Sequence, residues 1–182
     1  MQVFRHLPAA NAACAVTIGN YDGLHRGHQK ILETLIFESK KRYIETAVIT
    51  FDPHPKEFFS PSSAPARIIS LREKLEFFDK LKIDRVYIIK FNKKFSEIKS
   101  YEFINILKLI KAKLVVVGED FKFGNRREGT INDISKELTE VIGVKEVVSG
   151  SQRISSTTIR QSLSEGDFLR VELLMGRPYS IA

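Results

Sequence analysis

Residues 18–28 read IGNYDGLHRGH and contain two of the chain's four histidines, His25 and His28, on either side of Gly27. Gly19 and Gly23 come first, and glycine permits tight turns and close approach of the backbone to a ligand. The stretch follows an apolar run, CAVTIG (14–19), and leads into a helical pattern, GHQKILETLIFESKKR (27–42). A strand-to-helix turn of this kind leaves the first backbone N–H groups of the helix unpaired at the positive end of its dipole, which makes an anion site. The two imidazoles flank that start. They are suited to donating to phosphate oxygens and to following negative charge as it builds in a transition state. Gly27 is expected to keep the approach open to phosphates. A tight turn with incidental histidines is the bland reading of the same residues. A metal reading gathers His25, His28, His54 and Asp52 around zinc. Helical zinc pairs such as HExxH, however, are spaced i, i+4 with a glutamate base, and here the spacing is i, i+3 around a glycine.

A second stretch, GSQRISSTTIR (150–160), offers similar chemistry without histidine. Ser155, Ser156 and Thr157 open a short helix with hydroxyl and amide donors, Arg153 stands before it, and Arg160 lies one turn on. Alone it also reads as an ordinary serine-capped helix with surface arginines. Two helix N-termini directed at one crevice would suit a triphosphate.

The elements that must position these residues follow from periodicity. Runs rich in Val and Ile without strict polar alternation read as strands covered on both faces, at 14–19, 46–51, 85–91, 113–118 and 145–149. Helical patterns lie between them at 27–42, 70–81, 100–111 and 131–143, followed by two shorter ones, SSTTIRQSL and DFLRVELLM. The first puts Ile31, Leu32, Leu35 and Ile36 on one side. The second has Ser70 and Glu73 as a capping box, then Leu71, Leu75, Phe78 and Leu81 on one face. Ser100 is expected to cap the third, and Gly143 to end the fourth. This alternation predicts an α/β protein with a Rossmann-like, doubly wound, parallel five-stranded sheet. One domain, 1–182, is expected, with 154–182 a C-terminal helical extension packing across the crevice. In such sheets ligands bind beyond the carboxyl ends of the strands, where strand order reverses. That brings IGNYDG, TFDPHP, KFN and VGEDFKFG around one crevice, and these are also the segments richest in Gly, Pro, Asp, Asn and His.

Composition narrows the class. Hydrophobic residues are 43% and charged residues 28%, the balance of an ordinary soluble globular protein with a real core. Cys14 is the single cysteine, so no internal disulfide forms, and a buried strand position suits it better than a nucleophile's role. No apolar stretch approaches membrane-spanning length. Arg5 is followed by LPAANAACAVTI, which lacks a strong leucine-rich stretch and reads as a lead-in to the first strand rather than a signal peptide. A cytoplasmic protein away from membranes, monomeric by default, is expected. The net charge of +7 raises a nucleic-acid partner, but the lysines are spread over solvated helix faces such as ESKKR and LREKLEFFDKLK. FKFGNRREG interleaves basic and aromatic residues without a wider basic surface, so no nucleic-acid partner is expected. The positive balance also suits a polyanionic small molecule such as a nucleoside triphosphate.

GNYDGLHRGH, TFDPHP, VGEDFKFG and RISSTTIR, in that order, resemble the bacterial FAD synthetases of the nucleotidyltransferase superfamily. The likeness is to the FMN adenylyltransferase module of the bifunctional riboflavin kinase/FAD synthetase. It covers essentially the whole chain, and LMGRPYSIA resembles the hinge that ends the module. The broader superfamily shares the H-x-G-H and S-[ST]-T-x-x-R elements; TFDPHP and GEDFKFG narrow the likeness to the flavin branch. The resemblance implies transfer of AMP from ATP to FMN, with Mg²⁺ assisting and no covalent enzyme intermediate. It implies that His25 and His28 bind ATP phosphates and stabilise the transition state, and that Gly19, Asn20, Asp22 and Gly23 shape the nucleotide turn. Arg153, Ser155, Ser156, Thr157 and Arg160 would hold the triphosphate, with Arg153, Ser156 and Thr157 counted among the catalytic groups. Phe51, Asp52, Pro53 and His54 would line the flavin end, with Asn92, Asp120, Phe121, Phe123 and Arg126 on the FMN side. Phe121 and Phe123 read equally well as wall packing. Tyr21 departs mildly from the family's usual Phe. A riboflavin kinase module is expected to be absent after GRPY. Two other readings stay open: another phosphate acceptor, nicotinamide mononucleotide or phosphopantetheine, and a non-catalytic nucleotide- or flavin-binding module.

Overall fold

The computed structural model describes residues 1–137, 140–150 and 152–180. In chain order the elements are β1 (Gln2–Phe4), β2 (Cys14–Ile18), α1 (Arg26–Arg42), β3 (Glu45–Phe51), α2 (Pro55–Phe59), α3 (Leu71–Lys80), β4 (Arg85–Ile89), α4 (Lys93–Ser96) and α5 (Ser100–Leu109). They continue with β5 (Ala112–Gly118), β6 (Lys122–Phe123), β7 (Gly129–Thr130), α6 (Ile131–Glu137), β8 (Val141–Val144), β9 (Val148–Ser149), β10 (Gln152–Arg153), α7 (Ser156–Ser164) and α8 (Phe168–Met175). Six strands form a parallel sheet in the order β1-β4-β3-β2-β5-β8. The chain leaves central β2 for β3 and β4 on one side, then returns to β5 and β8 on the other, so strand order reverses between β2 and β5.

Both faces of the sheet are covered, which is why its strands read as unbroken apolar runs. On one face Ala15, Val48, Val86 and Leu114 pack beneath Leu32 and Leu35 of α1, Phe78 of α3, Ile159 of α7 and Val171 of α8. On the other, Val16, Ala47, Ile49 and Val115 meet Phe103 and Leu107 of α5 and Ile134 of α6. Neighbouring strand residues, Ala15 and Val16 or Ala47 and Val48, thus serve opposite faces. Cys14 lies buried in β2, its thiol donating to the Ile110 carbonyl at 3.4 Å, and burial pushes that thiol up to about 11. Among the described residues no helix is long and apolar enough to cross a membrane.

The structure corrects the expected sheet in three places. It has six strands rather than five, because Gln2–Phe4 joins the edge of β4; three residues of mixed polarity carry no strand signal of their own. Of the expected helix 131–143, Ile131–Glu137 is helical, residues 138 and 139 lie outside the described residues, and Val141–Val144 becomes β8, paired with Val115–Gly118 of β5. β-branched Val141, Ile142 and Val144 fit a pleated surface better than a helix, and pairing with β5 decides the matter. Gly143 is therefore a strand residue, not a helix end. The run 145–149 is not the outer strand; its end, β9, pairs antiparallel with β10 in a short ribbon. At α5 the cap position is Lys99 rather than Ser100, with Glu102 accepting from the Lys99 amide at 2.7 Å. The capping box of α3, Ser70 with Glu73, forms as expected.

Leu35 is fully buried between α1 and the sheet. Leu35→Ala is expected to lower unfolding free energy by roughly 2–5 kcal/mol, read as a fall in urea midpoint at constant m-value.

Candidate functional site

A cavity of about 290 Å³ opens at the carboxyl ends of β2, β5 and β8, where strand order reverses. Gly19, His25, Gly27 and His28 line one side; Arg153, Ser155 and Ser156 line another; Asp120, Phe121 and Glu146 complete the wall. Both predicted helix N-termini, those of α1 and α7, therefore reach one cavity.

The turn into α1 is built from unusual backbone. Tyr21 (φ 52°), Gly23 (φ 83°) and Leu24 (φ 43°) all occupy the left-handed region. For the two non-glycine residues this is a strained conformation that only strong surroundings maintain. Tyr21 and Leu24 are completely buried in the core, and the Tyr21 hydroxyl shares a 2.6 Å hydrogen bond with Thr17. The turn delivers His25 to the cap of α1, where its Nδ1 accepts from the His28 amide at 3.3 Å. That bond fixes the tautomer of the neutral ring: the proton sits on Nε2, leaving one N–H to donate. The His28 ring stacks on His25, centroids 3.7 Å apart, with Tyr21 beyond it at 5.1 Å. Burial, reinforced by the charge of Arg153, pushes the His25 imidazole down to about 4. Loss of hydration likewise holds His28 well below its ordinary value, with His25 and Lys74 adding to the effect. At neutral pH both rings are neutral donors, not cations. A Cβ at Gly27 would lie 3.1 Å from Cε1 and Nδ1 of His25. The glycine therefore makes room for the His25 ring folded over the helix start, and the open approach expected for it is taken up by that ring.

Across the cavity Ser155 caps α7, its Oγ accepting from the Thr158 amide at 3.1 Å. Ser156 Oγ donates to the Asp22 carbonyl at 2.8 Å, while Thr157 is exposed and does not line the cavity. Arg153 arrives on the ribbon of β9 and β10 and is held by Asp120 at 2.8 Å and by Glu146. Asp22, expected to shape the nucleotide turn, and Arg160, expected to hold the triphosphate, are joined to each other and lie outside this cavity. Asp22 is 4% exposed and also accepts from the Ile68 amide at 2.9 Å; Arg160 also donates to the Ala66 carbonyl at 2.8 Å. Asn20 faces α3: its carbonyl accepts from Lys74 Nζ at 2.7 Å. Gly23 lies against Ile68, where a Cβ would come within 3.2 Å.

A narrower cleft adjoins, lined by Phe51, Asp52, His54, Arg67, Leu71 and Lys74 among others. It brings together Phe51, Asp52 and His54, three of the four residues expected to line the flavin end; Pro53 follows Asp52 through a cis peptide bond and is absent from the lining. His54 caps α2, accepting from the Lys56 amide at 3.0 Å, and Asp52 pairs with Arg67 at 3.0 Å. Beside them Phe51, Phe58 and Phe59 gather around Phe91, ring centroids 5.6–5.9 Å from it. Asn92 uses its side chain to cap α4, accepting from the Phe95 amide at 2.9 Å. Phe123 is buried against Phe103 at 5.1 Å and acts as wall packing, whereas Phe121 reaches the larger cavity. Arg126 is exposed on a short turn with φ 51°.

Sequence reasoning missed Lys74, Arg67, Glu146 and the phenylalanines around Phe91. Lys74 had a signal: it falls three residues after Leu71 and four before Phe78, on the buried stripe of α3 rather than its wet face. Among the described residues no three His, Cys, Asp or Glu side chains gather as metal ligands, and His54 lies in a different cleft from His25 and His28.

A parallel, doubly wound sheet with two helix N-termini at its switch-point cavity defines an α/β protein of the kind that places its ligand site beyond the carboxyl ends of the strands. The chain belongs to the FAD synthetase family, whose model matches residues 7–158. It is 36% identical over 180 residues to the bifunctional riboflavin kinase/FMN adenylyltransferase of Escherichia coli K12, covering 96% of this chain and 58% of that protein. The protein of the same description from Haemophilus influenzae is 37% identical over 190 residues, covering all of this chain and 62% of that protein. The chain thus spans about three fifths of the length of these relatives. Among solved structures, one from Streptococcus pneumoniae described as a macrolide-efflux protein superposes with a TM-score of 0.90 at 26% identity, over 98% of this chain and 63% of that one. The pantoate-β-alanine ligase of Thermus thermophilus, TM-score 0.51 and 16% identical over 92% of this chain and 69% of that one, shares the fold.

Two outcomes are expected from this geometry. Asp22→Ala strips Arg160 of its partner and should cost roughly 3–5 kcal/mol of stability, with Arg160→Met in the same background recovering part of it. His25 titrates near 6.5 unfolded and near 4 folded, so between those values the unfolded chain binds a proton that the fold refuses. Stability present above about pH 6.5 should therefore fall as pH drops toward 4, and His28 acts in the same direction. Urea unfolding at pH 7 and pH 5 measures the slope, which His25→Gln should flatten.

Proposed function

We propose that the chain is an FMN adenylyltransferase, moving AMP from ATP to the phosphate of FMN to give FAD and pyrophosphate. The observation that carries this is the meeting of two helix N-termini, the His25–His28 pair and Arg153 in one cavity, beside a cleft edged by TFDPHP and a phenylalanine cluster. The triphosphate occupies the cavity. His25, His28 and Arg153 donate to it with their side chains, Ser155 and Ser156 through the backbone amides at the start of α7, and Thr157 supports the same helix start. The flavin lies against Phe51, Asp52 and His54, with Pro53 shaping the same loop, and their cleft of about 10 Å³ must widen to admit the ring. Asp120 and Phe121 meet the FMN from the wall of the larger cavity and Arg126 from its exposed turn, while Asn92 and Phe123 act by holding the surrounding elements in place. Gly19, Asn20, Asp22, Gly23 and Arg160 shape the turn between the two.

An FMN phosphate oxygen forms a bond to the α-phosphorus of ATP as the bond to the β-phosphate oxygen breaks, and pyrophosphate leaves with that electron pair. No protein atom enters the bonding sequence. The chain's part is alignment of the two substrates and stabilisation of charge spread over the transferring phosphoryl group. Neutral histidines suit that task, because they donate hydrogen bonds without charge that must be desolvated. Mg²⁺ would enter with ATP. The carboxylates at the cavity wall, Asp120 and Glu146, are both paired with Arg153, so such an ion would take its ligands chiefly from the phosphates and water. When bound, it neutralises charge on the departing pyrophosphate. A cytoplasmic setting agrees with substrates of this kind.

The test supplies ATP, Mg²⁺ and one acceptor at a time, and follows pyrophosphate and dinucleotide. FAD should form from FMN, and His28→Ala should lower kcat/KM by about a hundredfold or more while the melting temperature holds. FAD made at the unaltered rate by that variant removes the catalytic role. Turnover with nicotinamide mononucleotide or phosphopantetheine in place of FMN changes the acceptor, and ATP binding without any turnover leaves a binding module.

A further inference from the structure

Lys74 is a lysine in the wrong place for ordinary solvation. It sits on the inner face of α3, 8% exposed, and burial pulls its ammonium below the usual lysine value. Of its three N–H bonds, one is used among the described residues, donated to the Asn20 carbonyl at 2.7 Å. The acidic side chains around it are already matched. Asp22 is paired with Arg160, and Asp52 and Glu57 are both held by Arg67. No carboxylate lies within ion-pair distance of Lys74 among the described residues. A desolvated ammonium with no counter-ion is costly, and the arrangement is relieved when an anion arrives.

Its position says which anion. Lys74 lines the narrower cleft with Asp52 and His54, and it is bonded to Asn20, whose chain neighbours Gly19 and Tyr21 line the larger cavity. It therefore stands where the two clefts adjoin. At the neighbouring helix start Nδ1 of His28 is buried without a hydrogen-bond partner among the described residues. Buried polar groups in proteins are nearly always paired, and an imidazole nitrogen carrying the proton would donate to an anion placed there.

We propose that Lys74 binds the phosphate group of the acceptor and sets the preference for a phosphorylated flavin over an unphosphorylated one. This rests on the reading that FMN is the acceptor. A phosphate monoester carries close to two negative charges at neutral pH, and it must approach a second polyanion to react. A compact ammonium at the junction draws it in and screens that repulsion.

Flavin fluorescence titration of the full chain with FMN and with riboflavin, which lacks the phosphate, tests this. The unaltered protein should bind FMN more tightly than riboflavin. Lys74→Met should reduce that preference about tenfold or more, leave riboflavin affinity within about threefold, and raise the KM for FMN more than it lowers kcat. Lys74→Arg should keep most of the preference. If Lys74 served only to brace Asn20, both flavins would weaken together, and that result overturns the proposal; so does a preference left unchanged. Lys74→Gln gives the same comparison should the methionine variant fail to fold. An unaltered protein that binds neither flavin overturns the acceptor reading itself, a different result from one that binds both equally.

Discussion

The carboxylate of Asp22 is almost entirely out of water, and it is held there because donors from two other parts of the chain converge on it. The amides of Ile68 and Ile69 approach one oxygen and the guanidinium of Arg160 the other, while the Asp22 carbonyl takes the hydroxyl of Ser156. Three segments far apart in sequence are tied at this point: the turn after β2, the loop before α3, and the start of α7. The two helix N-termini that share the cavity have their separation set here. Asp22 and Arg160 therefore matter to the site without lining its larger cavity, and a substitution at either disturbs packing before it disturbs any ligand contact.

The site relies on oriented donors more than on charge. His25 and His28 are kept neutral by burial, and the hydrogen bond between them decides which nitrogen of His25 keeps its proton. Arg153 and Lys145 bring positive charge to the cavity wall, and the guanidinium of Arg153 is held there by Asp120 and Glu146. Such groups need little reorganisation when negative charge develops beside them, which is the advantage of a preorganised site.

Much of this was legible in the sequence, for identifiable reasons. The buried strands β2 to β5 announced themselves because covering on both faces requires unbroken Val and Ile runs. Ser70 with Glu73, and Ser155 before its helix, were readable because capping is a local matter of one side chain and nearby amides. What stayed hidden depends on partners distant in sequence. Val141–Val144 is a strand because β5 offers it a ladder, and Gln2–Phe4 because β4 does. Gly27 seemed to leave space for a ligand, yet the neighbour that fills the space is His25. Arg160 looked like a ligand for phosphate until its carboxylate partner, 138 residues away, was in view. Lys74 was passed over because a lysine in a charged helix is usually wet, and only the stripe of Leu71 and Phe78 placed it inside.

The left-handed turn at Tyr21 and Leu24 has a consequence for how this molecule tolerates change. Both residues hold backbone shapes that their side chains disfavour, and both are kept there by complete burial in the core. Interior and reactive surface are therefore one set of residues here, and anything that loosens the packing under α1 also releases the bend that aims His25. Substitution in this part of the interior is therefore constrained by the chemistry above it as well as by packing.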